Sequence, residues 1–262
     1  MRYIFGFLCF CALVALPLVG CGGSNGGDGG SAGTAGTGGG GGVETAELRL
    51  TATEGDGNIL GTRLEGVEFC ETDIANCTTS DANGQATLEM EVPADGRISY
   101  TYSKDGYMPG LRTDVVDEEF NAFIGEYGNF NITDETMTDR WAGMMSPYPM
   151  EGTGWVSVNA FVSDFLPSFL PVVGATFELV GATGKGYYDD PSGEPSLVLT
   201  ETGISGGGGF IEVAPGEVEI RFGGTATNCV VLKGWPGSEA NTIRMPVKVG
   251  FVTWGSMRCD AP

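Results

Sequence analysis

The sequence predicts an all-β protein built from two tandem antiparallel β-sandwich modules of Ig-like type, with a short helix between them. Three observations carry this. Apolar and polar residues alternate strictly over several short runs, turn residues punctuate those runs, and one order of strand, loop and strand occurs twice. Alternation with period two is the pattern of a strand with one face buried and the other wet. Short strands at regular spacing with turn signals between them fit a sandwich.

In the first half, Leu48, Leu50 and Ala52 alternate with Glu47, Arg49 and Thr51. Ala86, Leu88, Met90 and Val92 alternate with Thr87, Glu89 and Glu91, and Ile98, Tyr100 and Tyr102 with Ser99, Thr101 and Ser103. The turns between them read Asp81-Ala82-Asn83-Gly84, Pro93-Ala94-Asp95-Gly96 and Lys104-Asp105-Gly106. Asp and Asn hydrogen-bond their own backbone there, and Gly takes the left-handed conformation.

The second half opens with Trp155-Val156-Ser157-Val158 and continues through Val173 to Leu179, Gly209 to Gly216 and Glu217 to Phe222. Between the halves, Ile132, Met137, Trp141 and Met144 fall at helical spacing within Ile132 to Met145. Thr133 followed by Asp134 and Glu135 suits a helix start, because an acceptor and negative charge meet unpaired N–H groups there. The Met and Trp stripe is expected to pack against its own protein rather than a partner. Pro147 and Pro149 end the helix. The boundaries are therefore 44–131 for the first module, 132–153 for helix and linker, and 154–262 for the second module.

The phrase Thr79-Ser80-Asp81-Ala82-Asn83-Gly84, a strand to Pro93, and then Tyr102-Ser103-Lys104-Asp105-Gly106-Tyr107 resembles a carboxypeptidase regulatory-like domain. The second half is similar through Val173-Gly174-Ala175-Thr176 and Ala214-Pro215-Gly216. It departs with Phe222-Gly223-Gly224 where that family has a Lys-x-Gly-Tyr ending, and with an insertion from Gly181 to Ser196. The resemblance implies a transthyretin-like β-sandwich that serves as an accessory module and brings no catalytic residues.

The first twenty residues, 1–20, read as a signal peptide: Arg2, an apolar run from Ile4 to Leu18, then the small residue Gly20. That run is shorter than the ~20 residues a membrane-spanning helix needs. Leu18-Val19-Gly20-Cys21 resembles the lipobox of bacterial lipoproteins. The resemblance implies cleavage before Cys21 and acylation of that cysteine, hence palmitate-type anchoring in a bilayer. Several acyl chains hold stably where one is marginal. Gly22 follows the cysteine, and without Asp at that position the outer membrane is the favoured destination. The stretch 21–43 is the lipidated cysteine and a Gly-rich linker, too poor in apolar residues to fold. From Gly22 to Gly42 its root-mean-square reach is about 25 Å as a flexible chain.

The chain carries 34 Asp and Glu against 13 Lys and Arg, a net charge of -21. Such a surface repels phosphate, so nucleic acid is excluded as a partner. There is no histidine, which removes Ser-His-Asp and Cys-His catalysis and His-ligated zinc in their usual forms. Carboxylate chemistry survives, as a glycosidase-like acid pair or an oxygen-ligated calcium site. Four cysteines remain beyond Cys21: Cys70, Cys77, Cys229 and Cys259. An even number in an exported chain points to disulfides, and local pairing is expected, Cys70 with Cys77 and Cys229 with Cys259.

Gly206 to Gly209 lacks the rest of a phosphate-binding loop and reads as loop glycines. Asp81-Ala82-Asn83-Gly84 lacks the remaining ligands of a calcium loop and reads as an Asx turn. Asp114, Asp117, Glu118 and Glu119 read as a solvated acidic loop. Tyr187, Tyr188, Asp189 and Asp190, inside the insertion, form the one tentative ligand loop. Exposed aromatics beside carboxylates would suit a sugar or a cation, calcium first, although self-packing is the commoner fate of such residues. The expectation is a non-enzymatic exported lipoprotein that binds or spaces an envelope protein or glycan. A carbohydrate- or calcium-binding module is the alternative, and a carboxylate hydrolase the least supported reading.

Overall fold

A computed structural model describes residues 44–55, 62–116, 129–144, 146–162 and 170–260. The signal, Cys21, the Gly-rich linker, and Asp117, Glu118 and Glu119 lie outside the described residues. Residues from Gly42 to Pro262 form one compact unit.

The first half supplies β1 (Glu44–Glu54), β2 (Glu68–Glu71), β3 (Cys77–Thr79), β4 (Gln85–Val92), β5 (Arg97–Ser103), β6 (Gly110–Val115) and β7 (Asn129–Asn131). Helix α1 (Asp134–Gly143) follows. The second half supplies β8 (Gly154–Phe161), β9 (Ala175–Val180), β10 (Lys185–Asp189), β11 (Pro195–Ser196), β12 (Gly207–Val213) and β13 (Gly216–Gly224). It ends with β14 (Thr227–Lys233), β15 (Trp235–Pro236), β16 (Thr242–Val247) and β17 (Val252–Asp260).

The alternation read from the sequence is the burial seen in space. Leu88 and Met90 of β4 are buried between exposed Thr87, Glu89 and Glu91, and Ile98, Tyr100 and Tyr102 of β5 are buried. The Asp81 turn is the expected Asx turn: its carboxylate accepts from the N–H groups of Asn83 at 2.8 Å and Gln85 at 2.9 Å. Both expected disulfides are present, Cys70–Cys77 and Cys229–Cys259. Helix α1 has Thr133 as its N-cap, whose hydroxyl accepts from Thr136 N at 3.2 Å, with Asp134 and Glu135 in the first turn. Its apolar stripe is self-packed: Ile132, Met137, Trp141 and Met144 are buried with Trp155, Tyr187 and Ile211.

One sheet runs through both halves, in the order β11-β10-β12-β8-β17-β6-β5-β2-β3, with β14 also on β17. A three-stranded sheet, β4-β1-β7, and a four-stranded sheet, β15-β16-β13-β9, pack against it. The join is β17, which lies parallel to both β6 and β8. Parallel pairing departs from the expected all-antiparallel arrangement, and β7 on β1 is parallel too. The reason is connectivity. A hairpin forces neighbouring strands to be antiparallel, but β17 reaches the seam by a long path and is free to run either way.

Register fixes the layers. Residues directly opposite across paired strands share a face. Tyr102 is opposite Gly110, Gly110 opposite Val252, and Val252 opposite Trp155. On that face Tyr100 and Tyr102 pack with Leu48, Leu50, Leu88 and Met90 of the three-stranded sheet. The other face of β8 carries Val156, Val158 and Ala160, which pack with Val218, Ile220, Phe222 and Met245 of the four-stranded sheet. The two small sheets therefore cover opposite faces of the shared sheet. Consequently, among the described residues, no sheet lies over the Trp155–Ser157–Asn159 face of the second half, although Trp155 and Ser157 are buried.

Candidate functional site

The tentative ligand loop is a strand, not a loop. Residues 187–189 lie in β10, and Tyr187 and Tyr188 are 1% and 8% exposed. Each hydroxyl has an internal partner: Trp155 Nε1 donates to Tyr187 Oη at 2.7 Å, and Phe177 N donates to Tyr188 Oη at 2.8 Å. Burial, then the Asp189 charge, pushes the Tyr187 hydroxyl well above its ordinary range. The Tyr188 ring stacks on Phe177 with centroids 5.4 Å apart. The two tyrosines are self-packed, as expected of their commoner fate, but on opposite faces of one strand rather than in an exposed loop. The error arose because an insertion rich in Gly, Asp and Ser reads locally as a loop, while its two tyrosines alternate like any strand.

Asp190 caps its own turn. Its carboxylate accepts from Ser192 N at 2.8 Å, from the Ser192 hydroxyl and from Glu194 N at 3.1 Å, and these bonds hold it below the usual carboxylate range. Asp189 alone of the four faces a polar surface.

That surface follows from the shared sheet. One row of directly opposite residues runs Tyr187, Gly209, Ser157, Trp254, Arg112 and Tyr100. The next row runs Gly207, Asn159, Ser256 and Lys233. Asp189, two residues beyond Tyr187, extends it past Gly207. Of Gly206 to Gly209, expected as loop glycines, Gly206 ends the turn and Gly207, Gly208 and Gly209 open β12. A side chain at Gly207 would place its first carbon 2.1 Å from Asp189 Oδ2 and 2.9 Å from Asn159 Oδ1. Glycine there lets the two oxygens converge over the strand.

The rows mix charge and neutrality. Arg112, Ser157 and Ser256 are buried, whereas Asn159, Asp189, Trp254, Lys233 and Asp114 keep part of their surface in water. Burial and the neighbouring Arg112 charge press the Lys233 amine well below its ordinary range, with Asp114 acting the other way. Helix α1 covers the end of the rows at Trp155 and Tyr187, where Trp141 meets Trp155 edge-on at 4.8 Å. Sequence reading missed this strip because its residues come from seven strands of both halves. The one local sign was the small-polar run Ser157-Val158-Asn159 on a strand whose other face is wholly apolar.

Other possible sites are already engaged. Among the described residues, one group of three metal-ligand side chains lies within 4.8 Å, Glu68, Cys70 and Cys77, and its two sulfurs form a disulfide. A hollow of about 360 Å³ is lined by Val162, Asn228, Val230, Arg258, Cys259 and Asp260, with Asn228 Nδ2 donating to Asp260 Oδ2 at 2.7 Å. The shifted carboxyls Asp81, Asp190 and Glu219 are all held down, the opposite of what a general acid at neutral pH needs.

No known protein family matches the chain, and no curated relative does. Among solved structures, the Bacillus anthracis TIE protein overlaps 82% of this chain at 14% identity with a TM-score of 0.24, and the chain spans 34% of that protein. The minor pilin of the gram-positive pathogen Streptococcus agalactiae overlaps 82% at 13% identity and a TM-score of 0.28, over 96% of its own length. The shaft pilin of Lactobacillus rhamnosus GG overlaps 83% at 12% identity and a TM-score of 0.23, over 99% of its length. Overlaps this low carry no argument about activity. What the fold and site define is a disulfide-bonded β-sandwich protein.

Proposed function

We infer that this chain is an exported, lipid-anchored, non-enzymatic binding or spacing protein of the bacterial cell envelope. The observation that carries the reading is the apolar run ending in Leu18-Val19-Gly20-Cys21, followed at once by a Gly-rich linker. Lipid on Cys21 would hold the chain at a bilayer, the outer membrane by the absence of Asp after the cysteine, and the linker would free the β body from it. Two disulfides suit an oxidising compartment. Among the described residues, no helix is long and apolar enough to cross a membrane. Within this reading, modules 44–131 and 154–262 act as one body because a single sheet joins them.

The test is Cys21→Ala in the native cell. The expected outcome is no incorporation of labelled palmitate and an accumulation of uncleaved or mislocalised chain. Normal maturation and membrane fractionation of that variant would remove the anchor, and with it the envelope assignment. A second reading, a ligand-binding module, is favoured by the half-open polar strip over β10, β12, β8 and β17. Calcium has weaker support, since Asp189 and Asn159 supply only two converging oxygens and calcium takes six to eight.

A further inference from the structure

We propose that Tyr148 is the site at which one-electron oxidation of this protein ends, reached through a relay of contacting tryptophans, with Asp134 taking the phenolic proton. The oxidants concerned are small one-electron radicals of the carbonate or peroxyl class.

Three of the four tryptophans of the chain form one contiguous path. Ring centroids lie 5.7 Å apart between Trp254 and Trp155, 4.8 Å between Trp155 and Trp141, and 5.8 Å between Trp141 and Tyr148. Separations of about 4.5–7 Å are those of aromatic rings in contact, so each step joins touching rings. The middle of the path is dry and its two ends are wet. Trp155 and Trp141 are 3% and 1% exposed, whereas Trp254 and Tyr148 are half-buried. A radical that takes one electron from Trp254 is reduced to its anion, and the hole passes inward from ring to ring. Four methionines, Met108, Met137, Met144 and Met150, are buried in the same cluster. Draining the hole spares them, since a sulfoxide would put a polar group into this core.

Where the hole settles depends on where a proton can leave. A tryptophan radical stays cationic until its indole N–H is lost, and a cation in an apolar interior is costly. None of the three indoles has a carboxylate to receive that proton. The Trp254 indole is hydrogen-bonded to the Tyr102 hydroxyl, and Trp155 Nε1 donates to Tyr187 Oη at 2.7 Å. Trp141 Nε1 is buried with no hydrogen-bond partner among the described residues. Tyr187 also touches Trp155, at 6.0 Å, but its hydroxyl bonds with Trp155 and Ser157 rather than with a carboxylate. Tyr148 differs, because its hydroxyl donates to the Asp134 carboxylate in the first turn of α1. The last step therefore balances. The Trp141 radical cation takes one electron from Tyr148 while the phenolic proton moves to Asp134, leaving neutral Trp141, a tyrosyl radical and a protonated carboxyl. A buried cation and a carboxylate are both discharged, which gives the transfer its direction.

The experiment generates azide radicals, which oxidise tryptophan selectively, by pulse radiolysis of the full lipidated chain in detergent. The tryptophan-radical absorption is expected to decay as tyrosyl absorption grows, at a rate independent of protein concentration. Tyr148→Phe is expected to cut the tyrosyl growth tenfold or more, and Asp134→Asn to slow it tenfold or more, each with a native circular dichroism spectrum. Trp141→Phe keeps a ring that is harder to oxidise and is expected to slow the growth as much; should it not fold, the other two variants decide. Tyr187→Phe is expected to leave the growth unchanged. A tyrosine that is merely packed there would leave the rate indifferent to Asp134→Asn. Growth that survives Tyr148→Phe, that is lost in Tyr187→Phe instead, that keeps its rate in Asp134→Asn, or that speeds up with protein concentration overturns the proposal.

Discussion

Glu219 projects from the wet face of β13, and Arg244 of β16 lies directly opposite it. Arg244 Nε donates to Glu219 at 2.8 Å, Ser238 N at 3.0 Å and Ser238 Oγ at 2.7 Å. These bonds, the Arg244 one first, lower its carboxyl from 4.5 to about 2. A carboxyl depressed by folding contributes stability that is present above its unfolded value and lost as pH falls through its folded value. The window here is therefore between pH 4.5 and about 2. Glu219→Gln is expected to cost about 1 kcal/mol at pH 7, solvent screening keeping the figure well below what the shift alone implies. Denaturation across pH would show the gap between variant and parent closing toward pH 2 and narrowing in high salt. A gap that stays constant with pH would mean that Glu219 acts by shape rather than charge.

Helix α1 joins local signals to long-range packing. Its start was legible because Thr133, Asp134 and Glu135 act within one turn, and its buried face because Met137 and Trp141 recur at helical spacing. Trp141 is 1% exposed, edge-on to Trp155 and within 5.8 Å of Tyr148. Trp141→Ala is expected to cost about 3–5 kcal/mol by chemical denaturation, and Thr133→Ala about 1 kcal/mol. A Trp141→Ala chain of unchanged stability would return the stripe to the role of a partner-binding face. The strands show where legibility stops. Alternation told which residues of β4, β5 and β13 point inward, the Asp81 turn and the Cys70–Cys77 bridge followed from neighbours in sequence, and the Cys229–Cys259 bridge from pairing within one half of the chain. Nothing in a period of two names the partner strand, so the place of β17 between β6 and β8 was hidden. So was the strip, whose members Arg112, Asn159 and Trp254 meet only through that pairing. Gly207 to Gly209 misled for the complementary reason. Glycine suggests a loop locally, yet here it is required by close neighbours: the Asp189 and Asn159 oxygens at Gly207, and the Tyr187 and Val156 carbonyls at Gly208 and Gly209.

At the scale of the whole molecule, the two sequence modules share more than a linker. Beyond the β17 pairings, Val252 N donates to Pro109 O at 3.0 Å, Gly234 N to Thr113 O at 2.9 Å and Trp235 Nε1 to Ile98 O at 3.1 Å. Arg97 also sits over the Trp235 ring, 5.6 Å from its centroid. With β17 removed, β6 would become an unpaired edge beside buried Leu111, and β8 would lose its longest partner. The Cys229–Cys259 bridge, worth about 3.7 kcal/mol by chain-entropy reasoning for its loop, would go too. Unfolding of the intact chain is therefore expected as one cooperative calorimetric transition, with van't Hoff and calorimetric enthalpies equal. A chain ending at Phe251 is expected to lose hydrogen-exchange protection in β5 and β6 of the first half as well as in β8. If β5 and β6 keep parental protection in that truncated chain, the halves fold independently and the shared sheet is a contact between two domains rather than one cooperative body.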